Sequence, residues 1–433
     1  MGVKDAGAQT AGDGSKRPSG PPVEAAFIRN QLDPEAGPAC PVRTRLLETI
    51  RLLDLRGYAS LDATFGPGPH LVWGPNAAGK TSLIEAMVLI AWGRSHRTTT
   101  DGELIRWGTD LARVEGTVGR DTVEVAIVRA GAAGSAGRKR IRVNGLGRRA
   151  SSLTGLLRVV LFAPEEMLLV AGSPSLRRAV IDQLAISGSA GYADAFATYG
   201  RTLQQRNSLL RAIREASAGR DELRFWDGAF LDAGGAIVAE RRRLLEVLAE
   251  PLAAAHAEIA PDEAAAGRLS LRYETNAPPL PGESARDALA RRLGETADKE
   301  IWNGSTLVGP HRDDLVFELG GRDLATFASR GQQRTAILAL KLAELDAVTA
   351  LDGHPPLLLL DDVFSELDPD RRSHLVRRIA ALPQAFVTTT TLDDLDPELR
   401  AIATAWEVRT GPEGARLVRS EVAPGEALRR TVP

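Results

Sequence analysis

The residues best suited to chemistry fall in two short stretches far apart in the chain. The first, Gly74–Thr81, reads GPNAAGKT and fits the pattern G-x-x-x-x-G-K-S/T. Its glycines let backbone N–H groups close around an anion, and a helix opening at Lys80 points its positive end at the same place. Lys80 then stands ready for the β- and γ-phosphates of a nucleoside triphosphate, and the Thr81 hydroxyl for Mg2+. Pro75, Asn76, Ala77, Ala78 and Gly79 form the loop itself, and Ser82 follows it. The second stretch, PPLLLLDD (355–362), is an apolar run ending in two carboxylates. Asp361 is the candidate metal ligand and Asp362 the candidate to polarise an attacking water. Acidic residues after an apolar strand are common loop openings; their pairing with Gly74–Thr81 gives them meaning.

A third stretch, FASRGQQRTAILALKLAEL (327–345), sets Ser329, Arg330, Gly331 and Gln332 just before a long apolar-rich helix. Exposed N–H groups at that helix start make a second anion site. Two such helix starts in one chain suggest that two copies meet head to tail, each completing the other's pocket. The plainer use of Ser329 is as an N-cap without a ligand.

These residues need a scaffold. Residues 1–43, with GDGSKRPSGPP among them, read as a disordered extension. Strand-like runs near 45–53 and 60–65 lead to HLVWG, a third strand entering the glycine loop. ARVEGTV, TVEVAIVRA and RKRIRVNGLG are further strands, with Asn144-Gly145 as a tight turn. Apolar stripes then run from Tyr192 to Ile213 and from Leu223 to Leu252, the second passing through Arg241. They predict two amphipathic helices, roughly twenty and thirty residues long, forming an antiparallel pair. After the break NAPPLPGES (276–284), strand and helix signals alternate to about residue 420. The expected organisation is an α/β unit in two parts, 44–165 and 301–420, split by a helical insertion at 166–300 and followed by a flexible tail, 421–433.

Composition narrows the class. Hydrophobic residues make up 43% of the chain, charged residues 25%, and the formal net charge is −2. A near-neutral sum does not exclude nucleic acid, because local patches bind phosphates. Only six of the 54 basic residues are lysines, and the arginines supply forks suited to phosphate. A single cysteine, Cys40, excludes an internal disulfide and a cysteine zinc cluster. No run approaches the ~18 apolar residues of a membrane span, and no apolar signal core opens the chain, so a cytoplasmic location is expected. Arg97 in GRSHRTTT is a candidate contact for DNA or a partner head. In the hairpin 138–149, alternation puts Arg140 and Arg142 on one face, where they could track a nucleic-acid backbone. His311 with Asp313 and Asp314 reads as a strand-entry turn in preference to a metal site. Arg241–Arg243 are expected to be solvated.

The order of the glycine loop, a long insertion, SRGQQ and LLLLDDVFSELD resembles the ABC-type ATPases of the SMC class, and within it the short-armed bacterial recombination mediators. LIEAMVLIAWGRSHRT, LFAPEEMLLVAGSPSLRRAVID, YGRTLQQRNSLLR and GPHRDDLVFEL extend the likeness over roughly 45–395. The resemblance implies an ABC-type P-loop ATPase head with a short, antiparallel coiled-coil-like second lobe. By position, Gly74–Thr81 is its Walker A, Asp361 and Asp362 its Walker B, and Ser329–Gln333 the signature that meets the partner's γ-phosphate. Asp368 is the D-loop carboxylate, FAPEE (162–166) stands at the Q-loop, and Thr388–Thr391 replace a switch histidine. The second Walker B acid is Asp where many relatives carry Glu. The implied function is ATP-dependent DNA binding in recombinational repair and replication-fork maintenance, supporting recombinase loading and the SOS response. ATP and Mg2+ are the implied cofactors. The implied partners are duplex DNA, single/double-strand junctions, a second copy joined by ATP, and a RecR-like mediator protein. Slow, DNA-stimulated hydrolysis would release the assembly. A transporter's nucleotide-binding subunit would share the loop but not the long insertion. A long-armed SMC protein would need much longer helices, and a nuclease-coupled ATPase a second carboxylate cluster.

Overall fold

The fold follows from two apolar segments that cannot face water on any side. The segment following the glycine loop is one of them: Leu83, Ile84 and Ala86 through Ala91 are all buried. A helix apolar all round has to be covered all round. In the computed structural model, which describes residues 45–131, 137–364, 367–392 and 395–420, this helix, α1 (Lys80–Trp92), lies between two six-stranded sheets. The expected extension at 1–43 and tail at 421–433 lie outside the described residues.

One sheet is antiparallel. It is built from β1 (Leu47–Leu55), β2 (Tyr58–Thr64), β4 (Leu111–Val118), β5 (Asp121–Val128), β6 (Arg138–Val143) and β7 (Leu146–Arg148), in the order β2-β1-β4-β5-β6-β7. Its strands alternate, so β4 and β5 turn Ala112, Val114, Val123, Val125 and Ile127 towards α1 and their polar residues outward. Asn144 and Gly145 both take positive φ, 52° and 77°, in the tight turn expected between β6 and β7.

The other sheet is mainly parallel. From one edge it runs β8 (Val159–Phe162), β12 (Leu357–Asp361), β13 (Gln384–Thr389), β3 (Gly68–Trp73) and β14 (Thr404–Gly411), closed by the antiparallel β15 (Gly414–Arg419). Both its faces are buried, which is why LLLL shows no alternation. Leu357 and Leu359 face α1, whereas Leu358 and Leu360 join the helical side.

That helical side holds α2 (Pro174–Gly188), α3 (Ala190–Arg214), α4 (Leu223–Ile259), α5 (Ala285–Asn303), α6 (Arg330–Asp352) and α7 (Pro369–Ala380). The two striped segments form the predicted pair α3 and α4, which pack on each other, and α4 packs on α6 as well. The segment 166–300 is not helical throughout: β9 (Leu269–Glu274) pairs with β10 (Asp314–Leu319), which continues to β11 (Arg322–Asp323). One apolar core runs from α4 through α6 to β12, so the described residues form a single compact unit.

Arg241 departs from expectation. It is 2% exposed, not solvated, and makes a two-pronged pair with Asp182 at 2.7 and 2.9 Å while donating to the Pro310 carbonyl at 2.8 Å. Its place in the apolar stripe is the reason: a charge on that face must bury and therefore find a partner. Arg242 lies over the Tyr273 ring and Arg243 pairs with Glu240 on the surface. The turn holding His311 contains no group of acids and histidines able to hold a metal, among the described residues. His311 instead bonds the Tyr199 hydroxyl at 2.6 Å, and burial pushes its pKa down to about 4.

Candidate functional site

The carboxyl ends of β3, β12 and β13 lie side by side, and each delivers part of one polar cluster. Ligand sites of parallel sheets form at such strand ends. β3 leads into the glycine loop. Gly74 has φ 152°, and a Cβ there would stand 2.5 Å from the Val408 carbonyl oxygen, so only glycine fits against β14. Gly79, at φ 118°, starts α1 and lies against the ring of Tyr58, whose hydroxyl donates to the Gly79 carbonyl at 3.1 Å. The Lys80 ammonium donates to the carbonyls of Gly74 at 2.7 Å and Pro75 at 3.0 Å. Burial lowers its pKa, and the charges of Asp362 and Asp361 oppose that shift.

β12 ends on Asp361, which is 2% exposed. Its Oδ1 accepts from Thr81 Oγ1 at 3.2 Å and from Thr388 Oγ1, at the end of β13, at 2.6 Å. The same Thr388 hydroxyl accepts the backbone N–H of Asp362 at 3.0 Å. Asp362 takes φ 53°, a conformation costly for a non-glycine residue. Thr81, Asp361, Asp362 and Thr388 are therefore one bonded unit. Thr389 donates to the carbonyl of Thr391. An oxygen-only donor set at Thr81 and Asp361 suits Mg2+ in preference to softer metals.

The other sequence candidates sit elsewhere. Ser329 caps α6 in a reciprocal box, its hydroxyl accepting from the Gln332 N–H at 3.2 Å and Gln332 returning the bond to the Ser329 N–H at 3.0 Å. Arg330 and Gly331 are exposed beside it. Asp368 caps α7 and pairs with Arg371. In FAPEE, the part-buried Glu166 accepts from the Lys341 ammonium of α6 at 2.8 Å. Arg97 lies 3.8 Å from Glu85, while Arg142 meets Glu124 at 3.3 Å.

Sequence reasoning passed over Glu85. This fully buried carboxylate on α1 accepts two bonds from Arg56, at 2.8 and 2.9 Å, and one from Ser95. The one signal available was an acid inside an otherwise apolar helix. It ties the glycine-loop helix to the segment that carries Arg97.

Comparison with known proteins agrees with this geometry. The profile of the RecF/RecN/SMC N terminal domain matches residues 46–402. The DNA replication and repair protein RecF of Limosilactobacillus fermentum is 39% identical over 378 residues, covering 84% of this chain and 98% of that protein. RecF of Moorella thermoacetica is 37% identical, covering 85% and 96%. The solved structure of the recombination mediator protein RecF with ATPrS, of the RecFOR pathway, superposes with a TM-score of 0.77 at 29% identity, covering 87% and 98%. The corresponding structure with ATP gives 0.75. A shared head architecture and more than a third of residues in common along nearly the full length of these relatives place the chain in the RecF family of SMC-class, ABC-type ATPases.

Proposed function

We propose that this protein is an ATP-dependent DNA-binding protein of recombinational repair and replication-fork maintenance, in which ATP joins two copies head to tail on DNA and slow hydrolysis parts them. The observation that carries the reading is the Thr81–Asp361–Thr388–Asp362 unit at the ends of three neighbouring strands. Lys80 would exchange its loop carbonyls for phosphate oxygens, an exchange among acceptors that leaves the fold intact. Thr81 and Asp361 would hold Mg2+, which when bound offsets phosphate charge. Asp362, its N–H fixed by Thr388, would orient the water. Gly74 to Ser82 would bind the rest of the triphosphate, with Ser329 to Gln332 of the opposite copy closing over it and Asp368 at the seam. Duplex DNA, its junctions with single strands and a RecR-like protein are the partners this reading carries. A cytoplasmic place of action belongs to it as well, and no described helix is long and apolar enough to cross a membrane.

Support for a signature acting in trans lies in the local character of its bonds. The Ser329 and Gln332 side chains each accept the other residue's backbone N–H at an exposed helix start. Replacing Ser329 with Arg should leave ATP binding to the monomer unchanged but abolish ATP-driven dimerisation on gel filtration. Mixing it with Lys80→Ala protein should restore part of the hydrolysis that neither variant shows alone, because one composite site then has both halves intact. Normal dimerisation by Ser329→Arg would leave SRGQQ as only a well-capped helix.

A further inference from the structure

Beside the nucleotide cluster, a cleft of about 300 Å3 opens between the exit of α1, β8 and the FAPEE segment after it, helix α2 and the middle of α6. None of residues 74–82, 329–333 or 361–362 lines it. Aliphatic residues, Val159, Leu161, Val180 and Leu184 among them, line part of its wall, and charged ones, Arg94, Arg158, Glu165 and Lys341 among them, line the rest. Against these walls stand two nitrogen-bearing rings, Trp92 and His96. The indole nitrogen of Trp92 and both ring nitrogens of His96 are buried without a hydrogen-bond partner. Such groups are costly to bury unmatched, about 1–3 kcal/mol each, so buried polar atoms of this kind mark a ligand or ordered solvent.

The chemistry of the three nitrogens is specific. An indole offers a donor only, and a neutral imidazole one donor and one acceptor. Burial lowers the His96 pKa and so disfavours the charged ring. A matching ligand presents acceptor and donor atoms along one edge, is flat with apolar faces, and needs no charge, because Arg97, Arg158 and Lys341 already pair with Glu85, Asp352 and Glu166. A small aromatic heterocycle with an adjacent N–H and C=O or ring nitrogen meets all three demands, and a roughly ten-atom ring system of this kind fits the volume.

We propose that this cleft binds a neutral, planar heteroaromatic molecule of the nucleobase type, with Trp92 and His96 reading its polar edge. The site also touches both moving parts of the ATPase reading. Trp92 ends the glycine-loop helix and Arg94 to Thr99 follow it, while Lys341, Glu344 and Val348 belong to the helix capped by Ser329. Lys341 bonds Glu166 and Glu344 at one wall, fixing α6 to the segment after β8. Occupancy therefore bears on how these helices move against each other; this part rests on the head-to-tail reading, whereas binding itself does not.

The test uses the full chain and two probes, hypoxanthine and indene, the second keeping the shape without the polar edge. Calorimetry or ligand-observed NMR should show hypoxanthine binding at least tenfold more tightly than indene. His96→Phe should erase that preference, and Ala179→Trp, at an exposed position on the rim of the cleft, should abolish binding of both. Circular dichroism and retained ATP binding establish that the variants fold. Undiminished hypoxanthine binding by Ala179→Trp, or its loss on Lys80→Ala, would place the base at the nucleotide loop and overturn the proposal. No binding to the wild-type chain would assign the buried nitrogens to solvent and end it. A shift in ATP-driven dimerisation on adding hypoxanthine supports the coupling; its absence with binding intact removes the coupling alone.

Discussion

Two of the places where the molecule buries charge, Asp182–Arg241 and the corner around Lys80, are built differently. At Asp182–Arg241 the cation is clamped by both carboxylate oxygens, the Tyr192 hydroxyl adds a bond of 2.5 Å to the same acid, and the Pro310 carbonyl takes a further guanidinium N–H. At Lys80 the cation meets loop carbonyls, while the Asp361 carboxylate is held by the hydroxyls of Thr81 and Thr388. In the first centre, charge neutralises charge and nothing is left over. In the second, the Lys80 ammonium and the Asp361 carboxylate share one corner, each bonded to other groups. A closed network fixes helices; a divided one is ready for a ligand that brings its own charge.

Breaking each centre should separate these roles, and this is the largest effect expected. Arg241→Met leaves Asp182 buried beside a hydroxyl, which should cost about 3–5 kcal/mol in denaturant unfolding. Lys80→Ala should cost about 1 kcal/mol, the size of an ordinary substitution, yet remove ATP-driven dimerisation. Equal losses of stability would mean that the glycine loop, too, is held together by its charge.

The contrast also explains what could be read from the chain. The glycine loop and LLLLDD were legible because phosphate binding fixes both residue types and their local order. The helices α3 and α4 were legible because one face of each repeats every three or four residues. Arg241 was misjudged because its partner, Asp182, lies 59 positions away on another helix. The grouping of Thr388 with Thr81 and Asp361 depends on strand order, β12-β13-β3, which periodicity does not encode. Glu366, an alternative to Asp362, lies outside the described residues.

The catalytic division can be sharpened next. Asp362→Asn keeps the side-chain shape and the backbone bond to Thr388 but loses the charge that would orient water. Turnover should fall roughly 10²-fold, with ATP-driven dimerisation retained on gel filtration. Unchanged turnover would pass the role to Glu366.

A smaller effect concerns two buried groups whose titrations oppose each other. Burial pushes the Glu344 carboxyl up to about 7, although Lys341 lies beside it. Between about pH 4.5 and 7 the folded chain holds a proton there that the unfolded chain has released, so this group's stabilisation is lost as pH rises. His311, pushed down to about 4 by burial, works in reverse. Between about pH 6.5 and 4 the unfolded chain binds a proton that the folded chain refuses, and stability is lost as pH falls. Relative to wild type, Glu344→Gln should therefore gain with rising pH, by up to about 1.4 kcal/mol per unit, and His311→Asn should gain with falling pH. Unfolding midpoints between pH 4.5 and 6.5 measure both. Parallel profiles for the variants would show that neither group titrates within the fold.

The smallest effect separates Arg140 from Arg142, neighbours on the outer face of β6. Strand register sets Arg142 opposite Glu124 and Arg140 opposite Ala126. Glu124 lies 3.3 Å from Arg142 and 3.7 Å from Arg113, so its charge is already shared between two cations. Arg140 has no acidic partner within salt-bridge distance among the described residues. A phosphate reaching this face gains the full charge of Arg140 but has to compete with Glu124 for Arg142. If the hairpin tracks a DNA backbone, Arg140→Ala should flatten the dependence of log K on log salt by about 0.9, as one lost phosphate contact does on a duplex. Arg142→Ala should change it by much less, and Glu124→Gln should steepen it by freeing Arg142 and Arg113. Affinity should move alike for unrelated sequences, because backbone contacts carry no sequence information. Equal slopes for all three variants and wild type would return the hairpin to a solvated edge and move the DNA surface elsewhere on the head.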